Sequence, residues 1–169
     1  MKKTLLTTLL SMITFFSVLA QNIDFDKKNF SNNKDGFKQA LTDLNEGNMA
    51  YFNGVFSKAI EPFEKAQNFN PNNAELNGKI ADCYFQTDNI HKAKQLLESV
   101  FKLDAQPDGY FIYLNAQIKH RENEFDEAIK LYRNAKTKGS NIKPNALNNI
   151  DKKIKECTYA KKLIKTPIN

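Results

Sequence analysis

One segment recurs along this sequence, and the spacing of its copies limits the fold more than any other feature. Gly47-Asn48-Met49-Ala50-Tyr51-Phe52 aligns with Ala81-Asp82-Cys83-Tyr84-Phe85-Gln86 and with Ala116-Gln117-Ile118-Lys119-His120-Arg121, at offsets of 34 and 35 residues. Downstream positions keep the register: Phe56, Ile90 and Phe125 correspond, as do Ala59, Ala93 and Ala128, then Phe63, Leu97 and Tyr132, then Ala66, Val100 and Ala135. Such a period belongs to units that bury their apolar face only by stacking on one another. Within a unit the apolar spacing is helical, as in Phe56, Ala59, Ile60, Phe63 and Ala66. Each unit therefore reads as a pair of helices. The first ends near Phe52, Gln86 or Arg121, and the second starts near Phe56, Ile90 or Phe125. Gly47, Ala81 and Ala116 on one helix, and Ala59, Ala93 and Ala128 on the other, are small where the pair must approach closely. Overfilling such a spot costs roughly 1–3 kcal/mol.

Turn residues divide the chain at the same places. Asn70-Pro71-Asn72-Asn73 closes the first unit, with Asn72 and Glu75 at the spacing of a capping box. Pro107-Asp108-Gly109 separates the second unit from the third, and Lys138-Gly139-Ser140-Asn141 follows the third. Pro144 suits the first turn of a closing helix running to about Ile164, with Leu147, Ile150, Ile154, Cys157 and either Ala160 or Ile164 on one apolar stripe. Glycine and proline are scarce, 6 and 5 residues, which agrees with an all-α chain.

The 34-residue helix pair with these small and aromatic positions resembles the tetratricopeptide repeat over about Phe37 to Lys138. The resemblance implies three helix hairpins in a right-handed superhelix, about 38–71, 72–106 and 107–138, with a capping helix at 144–165 and a linker at 21–36. It also implies a concave wall built from the first helix of each pair. Carried over by alignment, that wall holds Leu41, Leu44, Asn48 and Tyr51, then Glu75, Gly78, Asp82 and Phe85, then Tyr110, Tyr113, Gln117 and His120. Tyr51 and Phe85 fit the core as well as the groove, whereas Tyr110, Tyr113 and His120 lean toward the groove. Aromatic and polar residues together suit a peptide-binding surface. Repeat domains that clamp the free carboxylate of a chaperone tail resemble one another in carrying lysines, asparagines and arginines there. Here Leu44, Gly78 and Tyr113 take those places and Asn48 lacks cationic neighbours, so a folded domain or an internal segment is the expected ligand.

The first twenty residues form a separate unit. Lys2 and Lys3 precede an uncharged run from Thr4 to Leu19, and Val18-Leu19-Ala20 ends on a small residue before Gln21, the pattern of a secretory leader. The expected mature chain begins at Gln21, in the periplasm or at the outer membrane. Removing both lysines lowers the net charge from +6 to +4. From Lys136 onward nine lysines face only Asp151 and Glu156, so the final helix has the charge to meet an anionic envelope surface or an acidic domain; export argues against nucleic acid.

Catalysis and cofactor binding find no support in the sequence. His91 and His120 lie in different units, and no phosphate loop or metal-ligand spacing is present. Glu122, Glu124, Asp126 and Glu127 lack the spacing of a calcium loop and read as a solvated helix start. Cys83 and Cys157 fall either side of the whole third unit, too far apart for a bridge to be expected.

Three further stretches carry a closer resemblance: Asp35 to Leu41, Phe69 to Ala74, and Lys152 to Cys157 leading to Ala160 through Pro167. They resemble the start of exported proteins in which a tetratricopeptide region precedes a β-propeller and an OmpA-like peptidoglycan-binding domain, some of them in type IX secretion and gliding machinery. What this resemblance implies is docking to other envelope proteins, or to downstream domains of the same protein. The alternative is a self-contained module that binds a peptide or a glycan.

Overall fold

The computed structural model describes residues 21–139 and 141–165. Among them are seven α-helices, a short 3-10 turn at Lys27–Phe30, and no strand. The helices are α1 (Lys34–Phe52), α2 (Phe56–Phe69), α3 (Ala74–Gln86), α4 (Ile90–Leu103), α5 (Gly109–Arg121), α6 (Phe125–Lys138) and α7 (Pro144–Lys165). Each odd-numbered helix up to α5 packs most extensively on the helix that follows it, which makes three hairpins, and α7 closes the stack against α6. None of the described helices is long and apolar enough to cross a membrane.

The turn inside each hairpin is built the same way three times. Gly54, Asp88 and Asn123 take positive φ values of 72°, 63° and 62°, at the register the sequence alignment gives. After each of them the amide of Val55, Asn89 or Glu124 returns to the carbonyl of Ala50, Tyr84 or Lys119 at 2.8–2.9 Å. A left-handed residue lets the chain fold back and satisfies carbonyls that a helix end leaves without partners. Asparagine and aspartate tolerate this conformation better than most residues, which is why glycine is not needed at all three turns.

Asparagines also start α1, α3 and α4. Asn33, Asn73 and Asn89 accept from the amides of Gly36, Leu76 and Lys92. The cap of α3 is thus Asn73, one residue beyond the position the sequence spacing suggested, and the carbonyl of Asn72 is taken by Ile23 at 2.8 Å.

Ala59, Ala93 and Ala128 are fully buried between paired helices, and the large residues of the same register, Phe63, Leu97 and Tyr132, show at most 1% exposure. Burying side chains of this size stabilises by roughly 1.5–3 kcal/mol each. A methyl group at Gly47 would sit 2.3 Å from Cδ1 of Phe63, and one at Gly78 would sit 2.3 Å from Cζ of Phe111. Both glycines are therefore contact points where an aromatic ring lies directly on a helix backbone. Two apolar clusters result, and α5 belongs to both. Its Phe111, Leu114 and Ile118 join α2, α3 and α4, while its Ile112, Tyr113 and Ala116 join α6 and α7. Cys83 and Cys157 are buried as free thiols in separate clusters.

At the N-terminal side the structure differs from expectation. The region 21–36 is a fastened strap and not a linker, and α1 already begins at Lys34. Besides the Ile23 amide bond, the Ile23 carbonyl accepts from the side chains of Asn70 and Asn73 at 2.8 and 2.9 Å, and Asn22 accepts from the amide of Ala74. Phe30 stacks on Phe37 and packs at a tilt against Phe69, with centroids 5.3 and 4.9 Å away. In α7, Ile150 and Cys157 are fully buried and Leu147, Ile154 and Ala160 pack beside them, but Ile164 is 71% exposed. The apolar stripe ends with Ala160. The leader at residues 1–20 lies outside the described residues.

Candidate functional site

The first helices of the three hairpins, together with the loops at their ends, enclose one side of a groove of about 1090 Å³. Its floor is held by a carboxylate. Asp82 of α3 is only 2% exposed and accepts on Oδ2 from the hydroxyls of Tyr51 of α1, at 2.6 Å, and Tyr110 of α5, at 2.9 Å. The Gln86 amide donates to Oδ1 at 3.0 Å. One residue from each hairpin thus meets at a single point. Burial, reinforced by the Asp82 charge, pushes both tyrosine hydroxyls well above the ordinary phenol range. They stay protonated and keep donating, and hydrogen bonds to a charged acceptor are the strong ones. The same burial, followed by the same carboxylate, raises the Cys83 thiol to about 12, so this cysteine is no nucleophile.

Around that floor the wall is mixed. Phe52 is 76% exposed, and the Lys79 ammonium lies 5.8 Å from its ring centroid. Lys79 also donates to the side chain of Asn48 at 3.0 Å and pairs with Glu75 at 2.8 Å. Asn48 thus does have a cationic neighbour, supplied by the next hairpin at the residue directly after Gly78. The strap contributes Asn22 and Asp24 to the groove, and the connection from α6 to α7 contributes Asn141 and Lys143.

Of the twelve groove positions named from the sequence, Tyr51, Glu75, Asp82 and Tyr110 line the groove. Asn48 touches it through Lys79. The others do not. Tyr113 is 7% exposed, with its ring 5.9 Å from that of Tyr132, so it is a core residue of the second cluster. His120 packs edge-on against Phe125 and Tyr132 inside the third hairpin. Burial lowers its basicity, with Lys153 acting in the same direction and Glu156 against it. Phe85 is 7% exposed in the first cluster, covered by the Arg121 guanidinium at 4.5 Å. Gln117 is half-buried on α5 and outside the groove lining. Gly78, carried over with the wall, is buried beneath Phe111. The sequence missed Phe52, Gln86 and the strap. Phe52 and Gln86 share one alignment column beside the groove, so the repeat itself held the signal.

The acidic cluster of the third hairpin is occupied by ion pairs. Glu122 meets Lys94 at 2.7 Å, Lys119 bridges Glu122 and Glu124, and Asp126 pairs with Lys161. Among the described residues no group of three or more histidine, cysteine or acidic side chains is placed to hold a metal.

Residues 53–118 match the family model described as tetratricopeptide repeat. Solved structures of such domains superpose on the chain. The Arabidopsis OM64 domain does so with a TM-score of 0.60 at 16% identity, covering 72% of this chain and 98% of its own. The Sgt2 domain from Aspergillus fumigatus gives 0.61 at 18% identity, covering 77% and 86%. The first such domain of Spaghetti (RPAP3), solved with the HSP90 peptide SRMEEVD, gives 0.58 at 20% identity, covering 73% and 93%. No curated protein matches the chain.

Proposed function

From a chain that has the tetratricopeptide fold, we infer an assembly scaffold that binds a segment of another protein in the concave groove. The observation that carries this reading is the floor itself, where Tyr51, Asp82 and Tyr110 fasten the three hairpins together, with an exposed Phe52 ring 5.8 Å from that of Tyr51. A site already ordered in the free protein loses little entropy on binding. Exposed aromatics next to such a floor are the groups that dominate binding energies at interfaces.

The scaffold is exported and works in the cell envelope on this reading. Support comes from the leader-like residues 1–20 and from the resemblance of three stretches to the start of OmpA-like and type IX secretion proteins. The lysine-rich α7 would then face anionic envelope material, with Lys152, Lys155 and Lys162 on its exposed side.

A tagged full chain tests both parts. Cells producing it are fractionated, the mature N-terminus is sequenced, and proteins retained from detergent-solubilised envelopes are compared for the parent and for Phe52→Ser. Maturation at Gln21 and a partner lost with Phe52→Ser are the expected results. An intact leader in the cytoplasmic fraction would refute export, and partners held equally by both forms would refute the groove.

A further inference from the structure

We propose that the groove selects a basic segment, one that lays an arginine or lysine side chain against the floor formed by Tyr51, Asp82 and Tyr110. This rests on the groove being the binding site and adds the chemistry of what binds. Asp82 is buried, yet every donor that reaches it is neutral: two tyrosine hydroxyls and one glutamine amide. It enters none of the ion pairs among the described residues. A carboxylate in that position has its hydrogen bonds satisfied and its charge uncompensated. The low dielectric around it strengthens its field, which the walls of a cleft direct outward.

The rest of the lining adds to that field. Glu75, Asp24, Asp104 and Asp108 join Asp82 around the groove, and the lysines there number three. Two of the three are committed. Lys79 pairs with Glu75 at 2.8 Å, and Lys138 donates to Gln106 and to the carbonyl of Pro107. Five carboxylates against three ammonium groups leave an excess of two negative charges, on a chain whose net charge is +6. The concave side is therefore opposite in sign to the molecule as a whole. An acidic ligand would be drawn to the lysines elsewhere and repelled here, whereas a basic one is steered in.

The rings favour the same ligand. Tyr51 and Tyr110 point their hydroxyls at Asp82 and both line the groove, and the exposed Phe52 ring lies 5.8 Å from that of Tyr51. The ammonium of Lys79 near the Phe52 ring shows that a cation is accommodated at this wall. A guanidinium suits such a place better than an ammonium because it stacks on rings while carrying its charge.

An immobilised library of random dodecapeptides, screened against the full chain, tests the proposal. Peptides retained by the parent should be enriched in arginine and lysine, and their affinity should fall about tenfold between low and moderately high salt. Asp82→Asn should weaken them by about tenfold as well. The double substitution Asp24→Asn with Glu75→Gln, at two exposed positions, should weaken them about threefold with an unchanged melting curve, and it keeps the test valid if Asp82→Asn does not fold. Neutral or acidic peptides that are lost with Phe52→Ser would overturn the basic preference and leave the groove standing. Retained peptides indifferent to Phe52→Ser, Asp82→Asn and the double substitution would overturn both.

Discussion

Removing the tyrosine hydroxyls from the groove floor should cost more in combination than separately. Tyr51 and Tyr110 donate to the same oxygen, Oδ2 of Asp82, at 2.6 and 2.9 Å, and Asp82 is 2% exposed. A hydrogen bond to a charged group contributes about 1.5–3 kcal/mol, so Tyr51→Phe, which removes the shorter bond, should fall near the upper end and Tyr110→Phe near the lower. After either change Oδ2 keeps one donor. After both it has none, and only Gln86 remains on Oδ1. A buried carboxylate stripped in this way costs more than the sum of the parts, by about 0.5–3 kcal/mol, the range seen for side chains that share a partner. Urea melts followed by circular dichroism at neutral pH give the four stabilities of the cycle. At the protein's size each kcal/mol moves the thermal midpoint by about 2–4 °C, so each single change is also visible in a thermal scan. Two single effects that add to within about 0.5 kcal/mol would refute the shared carboxylate. So would a Tyr110→Phe protein as stable as the parent.

Three further outcomes are expected. Gly78→Ala should lower stability by about 1 kcal/mol, because overpacking against the Phe111 ring, about 1–3 kcal/mol, exceeds the helix-propensity gain of about 1 kcal/mol; a raised melting temperature would refute the contact. Tyr113→Ala should destabilise by about 3 kcal/mol and leave groove binding unchanged, since its ring fills the second cluster; the melting curve and a peptide titration decide this. His120 is less basic folded than unfolded, so the unfolded chain binds the extra proton and stability is lost as pH falls below about 6.5. His120→Gln should remove part of that loss between pH 7 and pH 5.5 in urea midpoints; an unchanged slope would show that this ring does not titrate differently on folding.

The helices and their ends were legible because the period did the reading. Phe52, Gln86 and Arg121 end the first helices, and Phe56, Ile90 and Phe125 start the second ones, where the alignment placed them. The groove was less legible. A helix turn presents residues on every side, and position in a repeat does not say whether a neighbour from the next hairpin covers it. Tyr113 is covered by Tyr132, and His120 by the same ring, while Tyr110, three residues earlier than Tyr113, reaches Asp82. The strap could not be read at all from spacing, because Ile23 is held through its own backbone by asparagines 47 and 50 residues away. Composition marked Asn70 and Asn73 as turn residues, and nothing in a turn signal tells which distant carbonyl its side chains will hold.

Membership of α5 in both clusters has a consequence for how the molecule opens. An element clamped on two sides gives up its amide protons only when both sides have come apart, while α1 and α7, each gripped from one side, are free to fray first. Hydrogen exchange should therefore be slowest in α5 and quicken toward α1 and α7. Tyr110 stands on that most protected helix and Tyr51 on one that frays, so the binding floor comes apart from its α1 side first.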